Sequence, residues 1–511
     1  MPERVRAAEV VGAFSLATDL GMGLPFEHGL QATIFAARLG GHLGLDVETR
    51  RHAYYACLLF HSGCTTDAEL GAEIFGGGMT RHHLPVMYGS QLESLLGVLR
   101  ALPPPGSSPP RAALEIARRM PRAARGLKPH LTAHCEVAEM LAQRVGLSAS
   151  VSRLFEHVTE RWDGNGPMKR AAHDEIALPM RVVHVAQDAA IQRALGGVER
   201  AENVVREHAG RALDPEIAAV LADNAAEILA LDPETSAWGE ALAAEPAAWL
   251  NLDGDAIDRA LAAIGDFADL ASPYLAGHSA GVAALAEATA RRCHFDEDTV
   301  ATVRRAANVH DIGRIATPVS VWHRPGPLTP DDWEQVRLHA YHSERVLLRS
   351  SALASLAPIA GAHHERLDGS GYHRGSAAAG QPQAARLLAA ADAYHAMTEP
   401  RPHRKAMSAG RAAEALAEQC RAGCLDADLV AAVLESTGQR AGRIERPAGL
   451  TEREAEVVDL LARGLQTKQI AATLGIAHKT ADHHIQNAYS KIGVSTRAAA
   501  TLFAMEHGLV K

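Results

Sequence analysis

The residues of this chain with the most chemical potential stand in an ordered series. They are His278, the adjacent pair His310-Asp311, His339, the adjacent pair His363-His364, and Asp392. All are imidazoles or carboxylates, the donor set that suits iron, manganese, zinc and related divalent ions. An aspartate beside a histidine can bridge two ions while the other histidines complete each shell. A hydroxide held between two ions is a strong nucleophile at neutral pH, and the ions neutralise a phosphoryl group during in-line attack. The series therefore points to metal-assisted hydrolysis of a phosphate ester. Any one of these histidines alone reads better as a helix cap or a satisfied core residue; seven donors in order carry the argument.

Such donors must be brought together by helices. Each lies in or at the end of a predicted helix, so they can converge in the core of a bundle. The composition agrees: the chain has 511 residues, 47% of them hydrophobic, with only 4% aromatic. Its abundant alanine favours helices over sheets. The net charge of −9 excludes a general nucleic-acid binder, so any DNA contact must be local. Six cysteines without a CxxC pair suit a reducing cytosol, and Cys420 and Cys424 are expected to pack on one helix face. No apolar run reaches the length needed to span a bilayer, and the first ten residues lack a signal-peptide core. A cytoplasmic location without membrane contact is expected.

Two long helical blocks resemble each other in spacing. LDGSG at 367–371 follows His363-His364-Glu365-Arg366, and WDGNG at 162–166 follows Val158-Thr159-Glu160-Arg161. His339 lies 24 residues before His363, as His134 lies 24 before Val158. His310 follows His278 by 32 residues, and His61 follows His28 by 33. We read a tandem duplication. The first copy has His28, His61, Ser62, His134, Val158, Thr159 and Gln187 at the matching positions, with Asp188 one place beyond. Ser62, Val158 and Thr159 cannot replace the lost ligands, so this copy is expected to be catalytically dead. It is left to dimerise, to bind a small molecule or to support its neighbour.

The second block resembles the HD-GYP subgroup of HD-domain phosphohydrolases. The resemblance rests on SPYLAGHSAGVAALA, NVHDIGRIATP, RPGPLTPDDWEQVRLH, AHHERLDGSGYHRG and AARLLAAADAYHAMTEPRPHRKA. It implies an all-helical fold, hydrolysis of cyclic di-GMP or a related phosphodiester, and two or three metals. His278, His310, Asp311, His339, His363, His364 and Asp392 would be the ligands. Tyr274 stands where three-metal members have a Glu, so two ions, iron or manganese, are expected. Asp311 and Arg314 would be catalytic, Arg314 replacing the usual Lys, and Arg401, Arg404 and Lys405 would meet substrate phosphate. His373 replaces the Pro of the GYP motif, and His395 replaces an Asp.

The C-terminal segment reads as four helices, the first opened by a Thr451/Glu454 capping box. The pattern LTEREAEV…LLARGLQTKQIAATL…KTADHH…KIGV resembles the LuxR-type (GerE) helix-turn-helix. The resemblance implies a third helix in the major groove, with Lys479, Thr480, His483, His484, Gln486 and Asn487 on or near its exposed side. Lys468, Lys491 and Arg497 would contact phosphates. The same polar residues also read as an ordinary solvated helix face.

The expected fold is all-α: tandem HD-domain helical bundles followed by a four-helix LuxR-type helix-turn-helix. The expected division is 1–225 for the degenerate copy, 226–270 for a connecting segment, 271–438 for the HD-GYP-like domain, 439–449 for a linker and 450–511 for the DNA reader. The leading function is a transcriptional regulator, acting as a homodimer on DNA, with phosphodiesterase activity toward a cyclic dinucleotide or other phosphorylated small molecule. The competing functions are a regulator that senses metal or nucleotide without turnover, and a module that recruits other signalling domains.

Overall fold

The computed structural model describes residues 3–65, 79–104, 106–232, 234–324, 326–438, 447–494, 497–506 and 509. Packing divides the chain into two compact units. The first comprises Met1–Pro273, Arg314–His323 and Val346–Leu353, and the second comprises Tyr274–Gly313, Arg324–Arg345 and Ala354–Lys511.

The first unit opens on a two-residue strand, Val5–Arg6 (β1). Its principal helices are Ala7–Met22 (α1), His28–His42 (α2), Val47–Leu58 (α3), Gln91–Ala101 (α4), Pro109–Arg144 (α5) and Leu178–His208 (α6), followed by Gly254–Asp269 (α7). β1 pairs antiparallel with Asn251–Leu252 (β2), the one sheet among the described residues. The expected connecting segment, 226–270, thus contains β2 and a short helix, Ala237–Ala243, as well as α7. Tertiary contacts settle β2 and the short helix: Tyr55 Oη donates to the Glu245 carboxylate at 2.6 Å, and Arg6 pairs with the same carboxylate at 2.6 Å.

The second unit carries His278–Arg292 (α8), Glu297–Val309 (α9), Pro330–Leu347 (α10), Gln383–Thr398 (α11), Ala409–Arg421 (α12) and Ala427–Ser436 (α13). Cys420 is buried near the end of α12, but Cys424 lies beyond it with its sulfur 3.4 Å from the Asp368 carboxylate. The two thiols therefore do not share one helix face, because the helix stops between them. Of the expected linker, 439–446 falls outside the described residues, and 447–449 form a 3-10 turn.

The two units build matching elements in the same order. α2 begins at His28 behind Glu27, and α8 at His278 behind Gly277, with φ of 74° and 80° at the preceding residues. Asp46 caps α3, accepting from Glu48 and Thr49 amides, and Asp296 caps α9, accepting from Thr299. α3 leads to His61 and a 3-10 turn from Ser62, as α9 leads to His310, Asp311 and a 3-10 turn from Ile312. His134 lies in α5 and His339 in α10; Gln187 lies in α6 and Asp392 in α11.

The C-terminal part has Glu452–Ala462 (α14), Thr467–Thr473 (α15), His478–Ile492 (α16) and Arg497–Glu506 (α17). The Thr451/Glu454 capping box is present. Val457, Leu461, Ile470, Ala471, Ala481 and Ile485 form a shared core for α14, α15 and α16. Among the described residues, no helix is long and apolar enough to cross a membrane.

Candidate metal centre and nucleic-acid interface

The ordered donors of the second block converge. His278, His310, Asp311, His339, His363 and Asp392 are almost wholly buried, and His364 is half-buried. Asp311 lies at the centre. Its Oδ2 is 3.4 Å from His278 Nε2 and 3.0 Å from His310 Nε2. Its Oδ1 is 3.3 Å from His339 Nε2 and 3.4 Å from His363 Nε2. Asp392 Oδ1 adds a contact of 3.2 Å to His278 Nε2, and its Oδ2 lies 3.9 Å from His364 Nδ1. Two donor groups result, His278/His310/Asp311 and His339/His363/His364, each with ligand atoms within 4.8 Å of one another.

Local structure aims these rings. His310 Nδ1 is 2.6 Å from Ala307 O and His363 Nδ1 is 2.5 Å from Ala360 O, while His339 Nδ1 meets Val336 O. A carbonyl accepts only, so each Nδ1 carries a hydrogen and each Nε2 is turned inward, those of the neutral His339 and His363 presenting lone pairs. His339 Nε2 and His363 Nε2 then face each other at 3.1 Å. Two lone pairs in a dry core at that distance require a cation or a proton between them, so the donors present fit a metal ion.

Electrostatics follow the same pattern. Burial opposes charge on His310, but the Asp311 and Asp392 carboxylates outweigh it and raise its pKa to about 9. Burial lowers His363 to about 4 and takes His364 well below its usual value, which keeps both imidazoles neutral. Burial also works against the Asp392 carboxylate, yet hydrogen bonds from His278 and His310 hold it well below the usual range.

Sequence reasoning passed over Glu399. Its carboxylate lies 2.9 Å from His278 Nδ1 and 3.0 Å from His395 Nδ1, and it receives Arg401 at 2.8 Å. It orients His278 from outside, as carboxylates behind metal-bound histidines do. Burial opposes its charge, but His278 and His395 bring its pKa down to about 2. His395 fits over α8 only because position 281 is glycine: a Cβ there would lie 2.0 Å from His395 Nε2. The usable signal was the acid shortly before Arg401. His373 also has a role, 3.1 Å from Glu344, which pairs with Arg374 at 2.7 Å.

The expected substrate contacts stand differently. Arg404 donates to the carbonyls of Ala396, Met397 and Glu399, closing the end of α11, and Arg401 donates to Tyr274 O at 2.7 Å. Lys405 is exposed. Arg314 belongs to the first unit, buried with its guanidinium 5.4 Å from the Trp322 ring.

In the first unit, burial lowers His28 to about 4 and His61 and His134 to about 3, so all three are neutral. They form none of the metal-competent groups found among the described residues. Asp188 is not available one place along: it is 2.6 Å from His208 Nδ1 and 3.2 Å from Gln192.

On α16, Lys479, Thr480, His483 and Gln486 are exposed, and His484 and Asn487 are half-buried. Lys468 on α15 is exposed. Two expected phosphate contacts are instead engaged within the fold. Lys491 Nζ sits 2.6 Å from the Glu454 carboxylate and donates to Gly449 O, and Arg497 donates to Leu461 O and Leu465 O. Both tie down the start or end of α14, an internal duty that residue type alone did not reveal.

Comparison with known proteins accords with this geometry. Residues 263–429 match the HD domain family, and 448–504 match the bacterial regulatory proteins of the luxR family. The chain is 26% identical over 410 residues, 79% of its length and 89% of the relative's, to a 3'3'-cGAMP-specific phosphodiesterase of Vibrio cholerae. It is 36% identical over 146 residues, 28% of its length and 35% of the relative's, to a cyclic di-GMP phosphodiesterase of Pseudomonas aeruginosa. A crystal structure of a cyclic GMP-AMP specific phosphodiesterase from V. cholerae has the same fold, with a TM-score of 0.58 at 23% identity over 85% of this chain and 98% of that one. The chain therefore contains an HD domain at 263–429 and, after it, a domain of the luxR family of bacterial regulatory proteins at 448–504.

Proposed function

We propose that the second block hydrolyses a cyclic dinucleotide and that the C-terminal domain binds DNA, so that one chain joins signal breakdown to transcription. The observation that carries the first half is Asp311, whose two carboxylate oxygens each face a separate pair of histidines. His278, His310, Asp311 and Asp392 would hold one divalent ion, and Asp311, His339, His363 and His364 a second, iron or manganese by donor type. When bound, such ions supply a water nucleophile at neutral pH and charge neutralisation for the phosphoryl group. The chain's own groups hold the geometry: carbonyls at Ala307, Val336 and Ala360 fix three rings, and Glu399 fixes a fourth. Attack by water oxygen on phosphorus breaks one phosphorus–oxygen ester bond and leaves a linear product. The likeness to named cyclic-dinucleotide phosphodiesterases supports this substrate class.

The matched order of elements in the two units supports a tandem duplication, with a first copy that keeps His28, His61 and His134 but has Ser62, Val158, Thr159 and Gln187 at the other ligand positions. The proposed domains are those of the sequence reading: 1–225, 226–270, 271–438, 439–449 and 450–511. Exposed Lys479, Thr480, His483 and Gln486, with His484 and Asn487 at the margin, would read the major groove, and Lys468 would meet phosphate. A homodimer would place two such readers on a two-fold site. One observation favours a sensing role without turnover: Arg404 spends its guanidinium on backbone carbonyls, and Arg401 on Tyr274 O and the Glu399 carboxylate. Metal content and hydrolysis of cyclic GMP-AMP and cyclic di-GMP by anaerobically purified protein decide between them. Turnover lost in Asp311→Ala supports the enzyme; metal without turnover supports the sensor; neither metal nor turnover removes both.

A further inference from the structure

The first unit holds a partly open cavity of about 1000 Å³. A packed core leaves few voids larger than a water molecule, and cavities that take small molecules have this order of size. Most of the wall is apolar, from Phe60, Leu84, Leu127, Leu131, Val158 and Phe267. Three positions that match metal ligands of the second block also line it: His134 for His339, Val158 for His363 and Thr159 for His364.

The polar part of the wall holds unused capacity. Among the described residues, His134 Nε2, Thr159 Oγ1, Glu160 Oε2 and Arg119 Nη1 are buried without a hydrogen-bond partner. Glu160 is 1% exposed and His134 is 9% exposed. The second block differs at the matching acid. Glu365, which matches Glu160, uses both carboxylate oxygens, accepting from the Arg374 and Ser376 amides. Glu160 accepts only from the Arg170 amide, through Oε1, which leaves Oε2 for something in the cavity. Leaving such atoms unmet away from water is unfavourable.

We propose that this cavity is a receptor site for an uncharged amphiphile, one with an apolar tail and a head that both donates and accepts hydrogen bonds. Glu160 offers an acceptor and Arg119 a donor, while His134 is neutral and adds no charge. Arg161 is occupied by Asp163 and by the Met87 and Gly89 carbonyls. The Arg119 charge is already met by Glu115 at 2.9 Å, so Arg119 adds a donor rather than an unmatched cation, and a wall offering both donors and acceptors suits a dipolar head better than an ion, whose burial without a full partner is costly. The site stands whether or not the second block turns over substrate.

Three probes with one tail length, octanamide, octanoate and octylamine, test this by calorimetric titration into the full-length protein. Octanamide is expected to bind at least about tenfold tighter than either charged probe. Glu160→Gln should narrow that preference. Val158→Phe and, separately, Leu131→Phe should fill the cavity and weaken octanamide at least about tenfold, with the circular dichroism melt of each variant showing a folded chain. The proposal is overturned if none of the probes binds, if octanoate or octylamine binds as well as octanamide, or if both folded cavity-filling variants bind octanamide as wild type does.

Discussion

Replacing Gly313 by alanine tests whether the second donor group depends on the close packing beside Asp311. A Cβ at this position would lie 2.0 Å from His339 O, 2.6 Å from Ser343 N and 2.9 Å from His342 Cβ. Ordinary contact begins near 3.4 Å, so the α10 backbone must retreat by about 1.4 Å. Two of the obstructing atoms are backbone, which cannot swing aside as a side chain can. The retreating segment carries His339, whose Nε2 now stands 3.3 Å from Asp311 Oδ1. Metal–donor distances tolerate only about 0.2 Å, so His339 and Asp311 could no longer share an ion. The Gly313 amide would also lose its bond to Ser343 Oγ, now 2.9 Å. The expected result is a metal content cut by about half, hydrolysis reduced on the order of a hundredfold, and a stability loss of about 1–3 kcal/mol. Elemental analysis of anaerobically purified protein, a cyclic-dinucleotide assay and a thermal melt read the three effects. A folded Gly313→Ala protein with wild-type metal content and turnover would refute the reasoning.

Other substitutions probe the remaining parts. His61→Ala should leave hydrolysis nearly intact, whereas His310→Ala should abolish it; equal losses would mean that the first block is not catalytically dead. Lys479→Glu should weaken binding to every DNA sequence in an anisotropy titration, while Gln486→Ala should change base preference by about 1–3 kcal/mol at one position. Lys468→Ala should reduce the salt dependence of DNA binding by about one counterion, but Arg497→Ala should lower the melting temperature instead, because its guanidinium closes α14. Burial opposes the Glu454 carboxylate, yet Lys491 holds its pKa below the usual 4.5. A depressed carboxylate contributes stability above its unfolded pKa and loses it as pH falls through the folded one. Protection of the α14 amides, with the intrinsic exchange rate divided out, should therefore fall below about pH 4.5 in wild type and depend less on pH in Lys491→Met.

The donors that converge around Asp311 were legible as a set because imidazoles and carboxylates are scarce in cores, and seven at ordered spacing exceed what helix capping or core packing calls for. The helices were legible through caps such as Thr451/Glu454 and through an alanine-rich composition. What stayed hidden depends on partners far away in sequence. Glu399 has an ordinary residue type in an ordinary loop, and only the fold brings it to His278, 121 positions earlier. Lys491 and Arg497 carry the charge expected of phosphate contacts, but Glu454 and the carbonyls of Leu461 and Leu465 claim them first. β1 and β2 are each two residues long, too short to leave a periodic signal, and they form because the chain from 251 returns to residue 5.

His310, His339 and His363 each bond the carbonyl three residues before them, within their own turn of chain. Ring orientation is therefore written locally and does not wait for the other ligands to arrive. Metal can enter after folding, and its loading rate should be set by access to the core rather than by chain rearrangement. In the duplication proposed above, the same independence makes loss of ligands gradual: a histidine can give way to valine, as at Val158, without unseating its neighbours. A duplicated block built this way can shed its chemistry one side chain at a time and keep its shape throughout.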